Sequence, residues 1–158
     1  MDGSCYDISR LIPHGGAMCL LDSIESWTED FIVCRATSHR RPDNPLRDDS
    51  GLRALCGIEY AAQAIAAHGA LLRGPGEPCP LSAVLASARD VTTTLSHLDQ
   101  LLGPLSIHAT LVLAHEEGRI YDVMMAGDGR TLLTGRLSVM MLTGLSHRVR
   151  PVATEGVA

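Results

Sequence analysis

The chain has 158 residues, enough for one domain with a substantial core and too few for two ordinary ones. Hydrophobic residues make up 46% and charged residues 20%, which excludes a disordered chain. A net charge of -5 removes the overall positive field that a general nucleic-acid binder needs.

The five cysteines (Cys5, Cys19, Cys34, Cys56 and Cys79) are odd in number and lack a CxxC pair. Three lie in apolar runs, where Cys acts as a small hydrophobe, so a reducing compartment is expected and no disulfide framework. The seven His residues are scattered singly, without metal-ligand spacing. The first residues lack the basic-then-apolar layout of a signal peptide, and a cytoplasmic location is expected.

In chain order, DISRLIPHGG reads as a short helical turn stopped by Pro13 and Gly15-Gly16. AMCLLDSIESWTEDFIVCRATSH holds two apolar runs separated by a polar bend at Thr28 to Asp30. Ile32, Cys34 and Ala36 alternate with Val33, Arg35 and Thr37 in a strand pattern. RRPDNPLRDDSG is a loop, and Arg40, Arg41, Arg47 and Arg53 crowd in and just after it. They form either a solvated loop or a basic rim for an anionic partner. Asp49 or Ser50 is placed to cap a helix from Leu52 to Leu72, which RGPGEPCP ends.

That helix, ALCGIEYAAQAIAAHGALL from Ala54, is apolar except for Glu59, Gln63, His68 and the hydroxyl of Tyr60. A carboxylate there costs several kcal/mol unless it is paired, hydrogen-bonded or protonated. Glu59 is therefore the first candidate for chemistry, against a structural carboxylate paired with Arg at a subunit contact. Gln63 lies one turn later on the same face and is placed to orient it. His68 reads as a helix-end residue near solvent. Glu59, Gln63, Gly57 and Gly69 argue against a membrane span.

LSAVLASARDVTTTL, LSIHATLVLAHE, RIYDVMMAG and RTLLTGRLSVMML then read as four antiparallel strands, with a tight turn at Gly127-Asp128-Gly129. A helix apolar on nearly every side must be surrounded. The expected fold is α+β, an antiparallel sheet curled around one long helix: the hotdog fold, as a single domain over 1–144 with a loose tail over 145–158.

Two segments carry a family resemblance. LIPHGGAMCLLDSI resembles the opening of the β-hydroxyacyl-acyl carrier protein dehydratases, through Pro13, His14, Leu20, Leu21, Asp22 and Ile24. GIEYAAQA is similar to their helix with its Glu-x-x-Ala-Gln core, met by Glu59, Ala62 and Gln63. SHRRPDNPLR together with that helix looks like the ApeP-like branch, associated with aryl polyene and related fatty-acid or polyketide assembly.

The resemblance implies dehydration of 3-hydroxyacyl thioesters, with no cofactor beyond the phosphopantetheine arm of an acyl carrier protein. It also implies a homodimer, or a hetero-oligomer with another hotdog subunit, in which one site takes catalytic residues from two subunits. The better-known members carry a catalytic His in a Gly-His-Phe-Pro loop. That loop falls here at Asp43-Asn44-Pro45-Leu46, which has no His.

The reaction needs a base for an α-proton and an acid for the leaving hydroxyl. Glu59 is the expected acid, since desolvation raises a carboxyl pKa. His39 is the first candidate base, as the nearest imidazole in the loop, and His14 is the second. Backbone N–H groups of Leu55, Cys56 and Gly57 are candidate donors to the thioester oxygen. Arg40, Arg41, Arg47 and Arg53 are candidates for docking the carrier protein. The alternatives are an acyl thioesterase of the same fold, with Glu59 activating water, and a non-catalytic subunit that shelters an acyl chain beside an active partner.

Overall fold

A computed structural model describes residues 6–74 and 83–141. Cys5, Cys79, the Pro/Gly run beyond Gly74 and the expected tail lie outside the described residues. Six strands form one antiparallel sheet: β1 (Ser23–Trp27), β2 (Phe31–Ala36), β3 (Ala83–Thr93), β4 (Leu105–His115), β5 (Gly118–Gly127) and β6 (Arg130–Met141). Their order is β1-β2-β4-β5-β6-β3, and the helix α1 (Gly57–Arg73) lies in the curl of the sheet. This is the hotdog arrangement.

Strand alternation decides which side chains meet the helix. Ile32, Cys34 and Ala36 of β2, Leu105, Ile107 and Ala109 of β4, and Tyr121, Val123 and Met125 of β5 are all buried. Burial pushes the Cys34 thiol up to about 12, so it is an inert hydrophobe there. Asp128 and Gly129 both have positive φ, and Gly127 pairs with Arg130. That is the two-residue type I′ hairpin expected from the Gly-Asp-Gly signal.

The helix starts later than expected, and neither Asp49 nor Ser50 caps it. Asp48 instead accepts from the Ser50 backbone N–H (2.8 Å) in a turn closed against Gly51. Leu52 to Ala54 then bond to the 96–98 segment, with Arg53 extended, Ala54 N–H donating to Ser96 O and Leu98 N–H to Leu52 O. A 3-10 turn over Ala54–Cys56 leads into α1, with no side-chain cap at either start. Gly57 is needed for close approach. A methyl group there would lie 3.1 Å from both Leu133 Cδ1 and Met125 Cε, inside ordinary contact.

At its far edge the sheet leaves β3 exposed over most of its eleven residues, with Val84 and Leu85 uncovered. Among the described residues no helix is long and apolar enough to cross a membrane.

Candidate active site

One stripe of α1 faces the sheet across a groove. Glu59, Ala62, Ala66, Gly69 and Arg73 follow one another at helical spacing and line a groove of about 210 Å³. Val84 and Leu85 of β3, Arg119 and Tyr121 of β5, and Val139 and Met141 of β6 form its other walls.

At one end, His14 Nε2 lies 3.2 Å from Glu59 Oε1, each side chain about one third exposed. Gln63 Nε2 donates to the same oxygen at 3.0 Å. The carboxylate expected to need a partner thus has two, and it opens on a cavity. The imidazole reaches it because the Pro13 turn, ahead of β1, folds across the start of α1. His14 Nδ1 is buried without a hydrogen-bond partner, so nothing pins the ring to one tautomer.

Gln63 is itself held from two sides. Its amide nitrogen donates to Met18 O (2.7 Å) and its oxygen accepts from Leu20 N–H (3.0 Å). From there a buried polar chain runs back to the arginine loop. Ser38 Oγ donates to Leu20 O (2.6 Å), which leaves it to accept from Tyr60 OH (2.9 Å). Tyr60 OH in turn accepts from Asn44 Nδ2 (3.0 Å), and Asn44 Oδ1 accepts from Leu46 N–H (2.9 Å). Ser38, Asn44 and Tyr60 position the site and were not singled out from sequence. Asn44 carried the one usable hint, since it stands where the family's loop His falls.

Several expected site residues lie elsewhere. His39 does not line the groove: it is fully buried in the Ser38–Arg40 turn, and neither ring nitrogen has a hydrogen-bond partner. Burial pushes its pKa down, against the opposing pull of the Leu101 and Gly103 backbone. Within one chain His39 is therefore not brought to Glu59; the imidazole at the carboxylate is His14. Two of the three helix-start donors are engaged as well, Cys56 N–H with Arg53 O and Gly57 N–H with Ala54 O and Leu55 O. The Leu55 side chain points to solvent and does not line the groove.

Of the four arginines, Arg47 is turned inward, bonded to Asp99 at 2.7 Å and to His39 O at 3.3 Å. Arg53 pairs with Asp48 (3.3 Å), and Arg41 with Asp43 (3.2 Å). Arg40 is exposed and donates to Leu102 O. Arg41 also reaches Ala17 O (3.5 Å), which puts the loop beside the His14 turn.

His68 is not near solvent. It is buried, with Nε2 2.7 Å from Thr28 O and Nδ1 2.9 Å from Tyr121 OH. Those partners fix Nε2 as the donor and Nδ1 as the acceptor. Burial pushes its pKa down, against the opposing pull of the Thr28 carbonyl.

The curled antiparallel sheet around one helix, with a carboxylate–imidazole pair at the end of an apolar groove, places the chain among hotdog-fold proteins. The family model for the ApeP-like group, described as ApeP dehydratase, matches residues 6–149, and the chain belongs to that family. Among solved structures it is similar to the dehydratase heterocomplex ApeI:P from Xenorhabdus doucetiae. Identity there is 24% over 85% of this chain and 90% of that one, with a TM-score of 0.76. AziG from S. sahachiroi is 17% identical over 84% of this chain and 98% of its own, with a TM-score of 0.60. A thioesterase from Haemophilus influenzae is 14% identical over 80% and 81%, with a TM-score of 0.55. A search of curated proteins gave no match.

Proposed function

We propose that this chain dehydrates 3-hydroxyacyl thioesters presented on an acyl carrier protein, with Glu59 and His14 as its acid–base pair. The observation that carries the reading is their 3.2 Å contact at the end of an apolar groove. With the proton of the pair on Glu59, the imidazole takes a proton from C2. Glu59 gives its proton to the C3 hydroxyl, which leaves as water, and a C2–C3 double bond forms. The pair is then imidazolium and carboxylate, and one proton passing across the contact restores it. Gln63 keeps the carboxyl oxygen in place through the cycle.

The exposed edge of β3 supports pairing with a second hotdog subunit, since a long bare edge strand invites another chain. The similar Xenorhabdus structure is a heterocomplex. Arg40 and Arg41, beside the His14 turn, are the cations best placed to receive an acidic carrier protein.

Hydration of a crotonyl thioester, followed beside a free-thiol assay on saturated acyl thioesters, tests the reading. Hydration without thiol release supports it. Thiol release alone would make the chain a thioesterase, and neither activity with its partner subunit present would make it a sheltering subunit.

A further inference from the structure

The groove has a second end, about 15 Å from the first, because ten residues of helix separate Glu59 from Gly69. Two guanidinium groups converge there. A Cβ built on Gly69 would lie 3.1 Å from Arg119 Nη1 and 3.6 Å from Arg73 Nη1, so these nitrogens are at most about 7 Å apart. Both arginines are half-buried, and neither forms an ion pair among the described residues. Arg73 Nε is buried with no hydrogen-bond partner.

Nearby groups do not neutralise them. The Tyr121 hydroxyl, which meets both His68 and Arg119, is kept protonated by burial, and burial also pushes the pKa of His68 down against the pull of the Thr28 carbonyl. Glu117 shares a shallow outer depression with Arg119 without pairing to it. Like charges brought together beside buried donors need an anion to hold them.

We propose that Arg73 and Arg119 form an anion subsite at the far end of the groove, which selects acyl chains ending in a carboxylate. The inference rests on the reading of the groove as the acyl site. An extended chain of roughly twelve carbons, with bonds of about 1.5 Å in zigzag, spans the distance. Paired guanidinium forks suit a terminal carboxylate, which accepts two hydrogen bonds from each plane.

The phosphate of a carrier arm offers the same charge. The wall between the two ends argues for the acyl tail: Ala62, Ile65, Ala66, Val84, Leu85 and Val139 suit hydrocarbon. The two amides of a pantetheine would lie unpartnered against them.

The test is a binding measurement in the Glu59→Gln background, with non-reactive thioether analogues of a twelve-carbon acyl pantetheine. One analogue ends in methyl and the other in carboxylate. Isothermal titration should give the carboxylate at least tenfold tighter binding in the parent background. Arg119→Met and Arg73→Met should each erase most of that preference while sparing the methyl-ended ligand. Arg119→Lys, which keeps charge without the fork, should fall between.

Equal binding of the two ligands, or equal loss of both on substitution, would overturn the proposal. So would a gain from a 4′-phosphate on the pantetheine that Arg119→Met abolishes, since the subsite would then hold the carrier arm. A folded state for each variant is checked by circular dichroism. The short crotonyl substrate does not reach this end, so failure of the dehydratase reading shows separately in the hydration assay.

Discussion

His14→Asn and His39→Met form a pair of substitutions with opposite expected outcomes. His14 touches the carboxyl at 3.2 Å, so removing its imidazole removes one acid–base group, worth on the order of 10²–10⁴ in rate. His39 is fully buried with two unpartnered ring nitrogens, and a buried polar group left unpaired costs about 1–3 kcal/mol. Methionine fills a similar volume, and such repacking costs less than about 1.5 kcal/mol. The two effects offset, so His39→Met should keep full turnover and a stability within about 1 kcal/mol of the parent. At roughly 2–4 °C per kcal/mol for a domain of this size, its Tm should stay within a few degrees. Initial rates of crotonyl-thioester hydration and a calorimetric scan measure both quantities. A hundredfold rate loss in His39→Met, or near-parent rates in His14→Asn, would refute the assignment.

Glu59→Gln should lower turnover at least about a hundredfold while the fold persists, because the amide keeps a carbonyl for Gln63 to donate to but cannot transfer the proton; near-parent turnover would remove Glu59 from the chemistry. Stability should fall as pH drops below about 6.5, where the unfolded chain protonates its histidines before folded His39 and His68, whose pKa values are lowered. It is fully present above that pH, and the acid-side slope of up to about 2.7 kcal/mol per pH unit should flatten in His39→Met plus His68→Phe, read by urea titration at several pH values. Val84→Lys plus Leu85→Lys on the β3 edge should shift the light-scattering mass toward monomer; an unchanged dimer would place the contact elsewhere. Arg40→Glu plus Arg41→Glu should slow a carrier-bound substrate and weaken its salt dependence while barely affecting a short pantetheine substrate.

The elements that read well from sequence are those whose evidence is local. The alternation of Ile32, Cys34 and Ala36, the apolar run of α1 and the turn around Asp128 each announce themselves within a few residues. What was misread depends on partners far along the chain. The helix start moved because Leu52 to Ala54 bond with Ser96 and Leu98. Arg47 left the rim for Asp99, fifty-two residues away, and His68 left solvent for Tyr121, fifty-three away. Glu59 was legible because a carboxylate in an apolar helix demands an explanation from its neighbours alone. Its imidazole ranked only second from sequence, since nothing near Glu59 shows that the Pro13 turn crosses the helix.

The close seat of Gly57 on Met125 and Leu133 fixes how far α1 stands from the sheet, and the stripe Ala62, Ala66, Gly69 then acts as a graduated ruler. Its marks fall at about 5, 10 and 15 Å from the carboxylate, one for each small residue. Because α1 is also packed against β2, β4 and β5 along its buried faces, a larger side chain at any mark is not readily relieved by tilting the element away. Leucine at Ala62, Ala66 or Gly69 in turn would close the groove at successive depths. A series of grooves graded by depth is therefore reachable from this scaffold one substitution at a time, with the Glu59 end left untouched.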